Sequence, residues 1–120
     1  NKLKLVLKET QKKTEKNKRI LINLALNYGS KRELINSFKK TKLSKISEVN
    51  IKNNLYTKNI PDPDILIRTG GKKRLSNFML WQLAYAELYF LDKLWPDFTP
   101  KDLHKILKHY YKTKRNFGGI

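Results

Sequence analysis

Residues 19–26 read RILINLAL, an almost unbroken aliphatic run. It is far too short to cross a bilayer, and it has no polar face that could point to water. Such a run is the signature of a strand covered on both sides, as in parallel sheets. A strand of that kind needs helical layers above and below it, so it predicts an α/β fold with a parallel sheet flanked by helices.

The rest of the chain supplies those helices. Residues 2–16 place Leu3, Val6, Leu7 and Thr10 on one face with lysines elsewhere, an amphipathic helix ended at Asn17-Lys18. Asn27-Tyr28-Gly29 turns the chain. Ser30 and Glu33 have the spacing of a capping box for a helix whose inner residues are Leu34, Ile35 and Phe38. A polar stretch leads to a short helix from Ser47 to about Leu55, and Pro61-Asp62-Pro63 holds the chain extended.

The second half repeats the alternation. DILIR, residues 64–68, reads as a short strand and residues 69–73 as a loop. Residues 76–86 contain Phe78, Met79, Leu80, Trp81, Leu83, Ala84 and Tyr85, which predicts a helix buried all round. Residues 88–91 suit a last strand. Thr99 and Pro100 then mark the cap and first position of a final helix, with Phe98 able to staple onto Leu103 and with Leu103, Ile106, Leu107 and Tyr110 facing inward. No internal repeat and no second domain are visible.

With 27 Lys and Arg against 10 Asp and Glu, the net charge is +17, which favours anionic partners. Most of it is lysine spread along the chain, the pattern of solvated faces. The absence of cysteine removes disulfides, thiolate metal sites and a cysteine nucleophile. A basic nucleic-acid-binding module is a rival reading. It requires a basic stripe interleaved with exposed aromatics, whereas the aromatic residues here sit in apolar runs, and His104 and His109 are off the i, i+4 metal spacing. No nucleic acid is expected as a partner.

The chemistry concentrates in the loop after DILIR. Ligands of open α/β sheets bind beyond the carboxyl ends of strands, and Arg68 closes one. Gly70 and Gly71 allow close backbone approach and can aim N–H groups at an anion; Arg74 and Ser76 follow, Ser76 at the start of the expected helix. Two guanidinium forks, a hydroxyl and a helix N-terminus suit a diphosphate. Each part also has a plainer explanation: a turn, solvated charges and a cap. Glu87, the single carboxylate between Asp64 and Asp92, ends the expected helix and can share Mg²⁺ with phosphate oxygens. A carboxylate paired with a nearby Lys or Arg explains it equally well.

The run from Ile60 to Phe98, IPDPDILIRTGGKKRLSNFMLWQLAYAELYFLDKLWPDF, closely resembles the C-terminal signature of cis-prenyltransferases, whose bacterial type is undecaprenyl diphosphate synthase. RNFGG, from Arg115 to Gly119, looks like the end of that signature, and LINLALNYGS, from Leu21 to Ser30, is similar to the family's central strand and turn. The resemblance implies the repeated addition of isopentenyl diphosphate to an allylic diphosphate such as farnesyl diphosphate. The expected product is a cis-polyprenyl diphosphate, undecaprenyl diphosphate for the cell-wall lipid carrier. It implies that Arg68, Arg74 and Ser76 hold the isopentenyl diphosphate head group and that Glu87 helps place Mg²⁺. Trp81, Tyr85 and Trp95 resemble core and interface positions. Arg115, Gly118 and Gly119 resemble a tail that approaches the neighbouring subunit's site in a homodimer. A cytoplasmic protein is implied, able to meet a membrane surface through its product.

Two positions depart from the family pattern. Lys72 stands where an acidic residue is usual, and Asn116 where the tail usually has a second arginine. The family's N-terminal signature, with the catalytic aspartate and the allylic diphosphate site, is absent. Residues 1–120 therefore resemble the C-terminal part of a single domain, carrying the isopentenyl diphosphate half-site with no catalytic residue of its own. A non-catalytic partner subunit of a heteromeric enzyme is the alternative; the retained Arg68, Arg74 and Ser76 favour a catalytic lineage.

Overall fold

The computed structural model describes residues 2–115. Helix α1 (Lys2–Thr14) forms as its apolar spacing predicts, with Lys12 and Lys13 in its last turn opposing the helix dipole. Leu3, Leu5 and Val6 remain exposed.

RILINLAL is not a strand. Residues 19–26 run as irregular chain, and Ile20, Leu21 and Ile22 are 73 to 77% exposed. The expected central strand is corrected for a simple reason. A buried strand exists only with a ladder beside it and layers across its faces, and the described residues offer this segment neither.

Helix α2 (Ser30–Lys40) begins after Gly29, and no local side chain caps it. The expected capping box is therefore also corrected. Ser30 lies inside the helix, fully buried, and its Oγ accepts a hydrogen bond from the N–H of Leu80 at 2.9 Å; Glu33 turns inward. The inner face of α2 consists of Ser30, Glu33 and Ser37, while Ile35 and Phe38 are exposed. A polar inner face is stable because each group finds a tertiary partner; Ser37 Oγ, for instance, donates to the carbonyl of Ile51 at 2.7 Å. Helix α3 (Glu48–Lys52) starts at the Ser47 cap, whose side chain accepts from Asn50 N–H, and buries Ile51 against α2; Leu55 is buried just beyond its end.

Strands β1 (Ile65–Arg68) and β2 (Glu87–Phe90) pair in parallel, with Ile65 opposite Glu87 and Arg68 opposite Phe90. The parallel α/β expectation holds. The crossover between them is a different matter. Residues 76–85 form a succession of turns, with Ser76, Asn77 and Met79 at φ of 51°, 63° and 45°. Three left-handed residues in four cannot belong to an α-helix, so the expected buried helix is corrected. Only Gln82 and Leu83 of this crossover are buried, and Tyr85 is exposed, as is Trp95 beyond β2.

Helix α4 (Pro100–Tyr110) has the predicted cap. Thr99 and Asp102 form a reciprocal capping box, Pro100 holds the first position, Ile106 is buried, and Phe98 stacks on Trp95 with ring centroids 5.5 Å apart. Asp102 is also gripped by Lys93, whose Nζ lies 2.9 and 2.8 Å from its two oxygens. Hydrogen bonds from Lys93, then from the Thr99 side chain and backbone, hold the Asp102 carboxyl well below the ordinary carboxylate range. A depressed folded-state pKa stabilises the fold above the unfolded value and ceases to do so as pH falls through the folded one. In thermal melts, Asp102→Asn is therefore expected to cost stability at neutral pH. That cost should shrink below about pH 4, where the unfolded carboxyl protonates. A difference between the two proteins that stays constant down to strongly acidic pH would remove this assignment.

Candidate diphosphate pocket

Beyond Arg68 the chain must turn sharply to start the crossover. Gly70 and Gly71 take φ of 88° and 72°, the left-handed region where a side chain is strained. Their N–H groups do not point at an anion. Gly70 donates to the carbonyl of Lys93 at 2.7 Å and Gly71 to that of Leu91 at 2.9 Å. The expectation that these amides face a ligand is corrected: they fasten the bend to the chain leaving β2.

That bend brings the crossover back over the strand tip. Arg68 Nη1 donates to Ser76 Oγ at 3.0 Å and to the carbonyl of Arg74. Both bonds use one nitrogen, so among the described residues three of the five guanidinium N–H donors keep no protein partner. Arg68, Arg74 and Ser76 line one open cavity of about 380 Å³, together with Thr69, Leu75, Phe78 and the β1 residues Leu66 and Ile67. This volume lies in the range of small-molecule sites. The cavity has two characters, cationic at Arg68 and Arg74 and apolar along Leu66, Leu75 and Phe78. An anionic head joined to a hydrocarbon matches that division.

The other expected site residues lie elsewhere. Glu87 opens β2 opposite Ile65. It is thus three residues, or about 10 Å along the sheet, from the level of Arg68. It does not line the cavity. No group of three His, Cys, Asp or Glu side chains suited to a metal occurs among the described residues. Arg115 is bonded within the chain. Its guanidinium donates to Asp64 at 2.7 Å, to the Tyr110 hydroxyl at 2.6 Å and to the carbonyl of Tyr85 at 2.9 Å. The Asp64 carboxyl is lowered below its ordinary pKa, first by the hydrogen bond from Arg115. Gly118 and Gly119 lie outside the described residues.

A polar core under the crossover was not foreseen. The Glu33 carboxyl, fully buried, accepts from the Tyr28 hydroxyl, from Tyr56 N–H at 2.8 Å and from Gln82 Nε2 at 3.2 Å. Burial, followed by Glu33, pushes the Tyr28 phenol up to about 12. Asn77 joins the same layer: its carbonyl accepts from Ser30 N–H and its Oδ1 from Lys31 N–H, both at 2.9 Å. The one local sign was the Ser76-Asn77 pair, since asparagine tolerates left-handed backbone.

Two parallel strands, an arginine at one strand tip and a crossover that returns a second arginine and a hydroxyl to it define an α/β protein with a basic pocket at the carboxyl edge of its sheet. The chain belongs to the cis-prenyltransferase family: the family model described as "Putative undecaprenyl diphosphate synthase" matches residues 1–118. An isoprenyl transferase of Oceanobacillus iheyensis is 48% identical over 117 residues, covering 90% of this chain and 46% of the relative. One from Helicobacter pylori is 52% identical over 105 residues, covering 81% and 45%. Among solved structures, a probable undecaprenyl diphosphate synthase from Campylobacter jejuni superposes with a TM-score of 0.86 at 34% identity, covering 99% of this chain and 57% of that one. Lavandulyl diphosphate synthase from Lavandula x intermedia, solved with dimethylallyl diphosphate, gives 0.89 at 35%, covering 98% and 54%. The chain spans about half the length of the curated relatives it matches.

Proposed function

We propose that this chain carries the isopentenyl diphosphate half-site of a cis-prenyltransferase that extends an allylic diphosphate to a cis-polyprenyl diphosphate, undecaprenyl diphosphate for the cell-wall lipid carrier. The observation that carries the reading is the 3.0 Å contact of Arg68 with Ser76 in a cavity shared with Arg74. A diphosphate there accepts paired N–H bonds from the free edge of Arg68 and charge from Arg74. The Ser76 oxygen already accepts from Arg68, so its proton is available to a phosphate oxygen. The apolar wall of Leu66, Leu75 and Phe78 suits the short hydrocarbon of the same substrate.

Fixing the head group fixes the reach of the alkene. That is catalysis by positioning, and it turns an encounter in solution into a reaction between neighbours. The alkene carbon bonds to the allylic carbon as the allylic C–O bond breaks, diphosphate departs, and a proton leaves the new cation. Groups that ionise the allylic partner belong to the rest of the domain. Glu87 alone does not make a magnesium site; as a Mg²⁺ ligand it would need donors from outside the described residues. The homodimer that the resemblance implies, with Arg115, Gly118 and Gly119 near the partner's site, belongs to the same proposal.

The test is incorporation of labelled isopentenyl diphosphate into polyprenyl product with farnesyl diphosphate as primer. The chain joined to the rest of its domain is expected to elongate the primer, and residues 1–120 alone are expected to give no product. Elongation by the 120 residues alone would refute the division of the site, and no elongation by the whole domain would refute the activity.

A further inference from the structure

We infer that Asn77 is a positioning residue for the diphosphate pocket: by capping α2 from a distance in sequence, it fixes the backbone that aims the Ser76 hydroxyl. The inference rests on the proposed role of Ser76. A helix leaves its first N–H groups without intrahelical partners, and α2 has no local cap. Asn77 answers two of them, Ser30 N–H through its carbonyl and Lys31 N–H through Oδ1, across 46 residues for the second. Ser30 returns the contact, its Oγ accepting from Leu80 N–H. The turn that holds Ser76 is thus stitched to α2 at Asn77 and again at Leu80.

The fit is close. A Cβ on Gly29 would stand 2.9 Å from Asn77 Nδ2, so glycine there admits the asparagine side chain. Ser76 and Asn77 are both left-handed, a state that L-residues enter at a cost and that persists when surroundings over-determine it. Asn77 makes the bonds that do so. Without them the pair has every reason to relax, swinging Ser76 Oγ off Arg68.

The experiment compares Asn77→Gly, Asn77→Asp and Ser76→Ala in the whole domain. Glycine keeps the left-handed backbone and deletes the Oδ1 acceptor; aspartate keeps the acceptor. Asn77→Gly is expected to raise KM for isopentenyl diphosphate by about fivefold, the size of a typical lost cap, with KM for farnesyl diphosphate changed less than about twofold. Asn77→Asp is expected to restore the wild-type KM to within about twofold. Should the glycine variant fail to fold, Asn77→Ser, with a shorter acceptor arm, is judged by the same criteria. An unchanged isopentenyl diphosphate KM in Asn77→Gly, an equal rise for both substrates, or an aspartate variant as impaired as glycine would overturn the inference, provided Ser76→Ala raises that KM. If Ser76→Ala leaves KM unaltered, the role of Ser76 itself falls and the positioning role falls with it.

Discussion

Arg68→Ala in the whole domain raises the Michaelis constant for isopentenyl diphosphate by about 30- to 160-fold and leaves that for the allylic diphosphate nearly unchanged. This is the expected result if the three N–H donors that Arg68 keeps free engage one substrate. Hydrogen bonds to a charged group contribute about 2 to 3 kcal/mol here, which converts to that range. The change also removes the contact to Ser76 and the anchor on the Arg74 carbonyl, so the pocket loses its organiser as well as a charge. Steady-state kinetics with each substrate varied in turn decide it. Equal losses for both substrates would mean that Arg68 supports the fold and does not read isopentenyl diphosphate.

Glu33→Ala is expected to destabilise the domain by about 3 to 5 kcal/mol, enough to unfold many proteins of this size. Alanine leaves the Tyr28 hydroxyl, Tyr56 N–H and one bond of Gln82 Nε2 without the fully buried carboxyl that accepts from all three. Gln82 Nε2 retains Thr57 Oγ1 at 3.0 Å, so the loss falls hardest on Tyr28 and Tyr56. In any folded Glu33→Ala protein the Tyr28 phenol should titrate below about 12, though still above its ordinary value, because burial is the larger cause of its shift. Urea unfolding measures the stability change, and a loss under about 1 kcal/mol would show that the buried carboxyl is dispensable.

These two residues also mark what was legible in the sequence. The place of Arg68 at a strand tip was readable because an apolar run ending in an arginine shortly before two glycines has few alternatives. β1, β2 and the Thr99 cap of α4 were readable for the same reason, since each is fixed by neighbours in the chain. Glu33 was read as a partner for Ser30 in a local cap, a motif that uses the same two residue types. What placed it instead was Tyr28, Tyr56 and Gln82, up to 49 residues away. The crossover failed differently. Apolar residues on every side indicate burial but carry no handedness, and three left-handed residues leave no trace in a hydrophobic pattern. RILINLAL was read as a strand from its aliphatic run and from its resemblance to the family's central strand, and neither supplies a ladder among the described residues.

Lys93 has a consequence well outside the candidate pocket. Its carbonyl receives Gly70 while its ammonium holds Asp102. One residue therefore serves as the abutment between the glycine bend after β1 and the first turn of the last helix. A change at the start of that helix is thus passed to the glycine bend through one side chain and its own carbonyl.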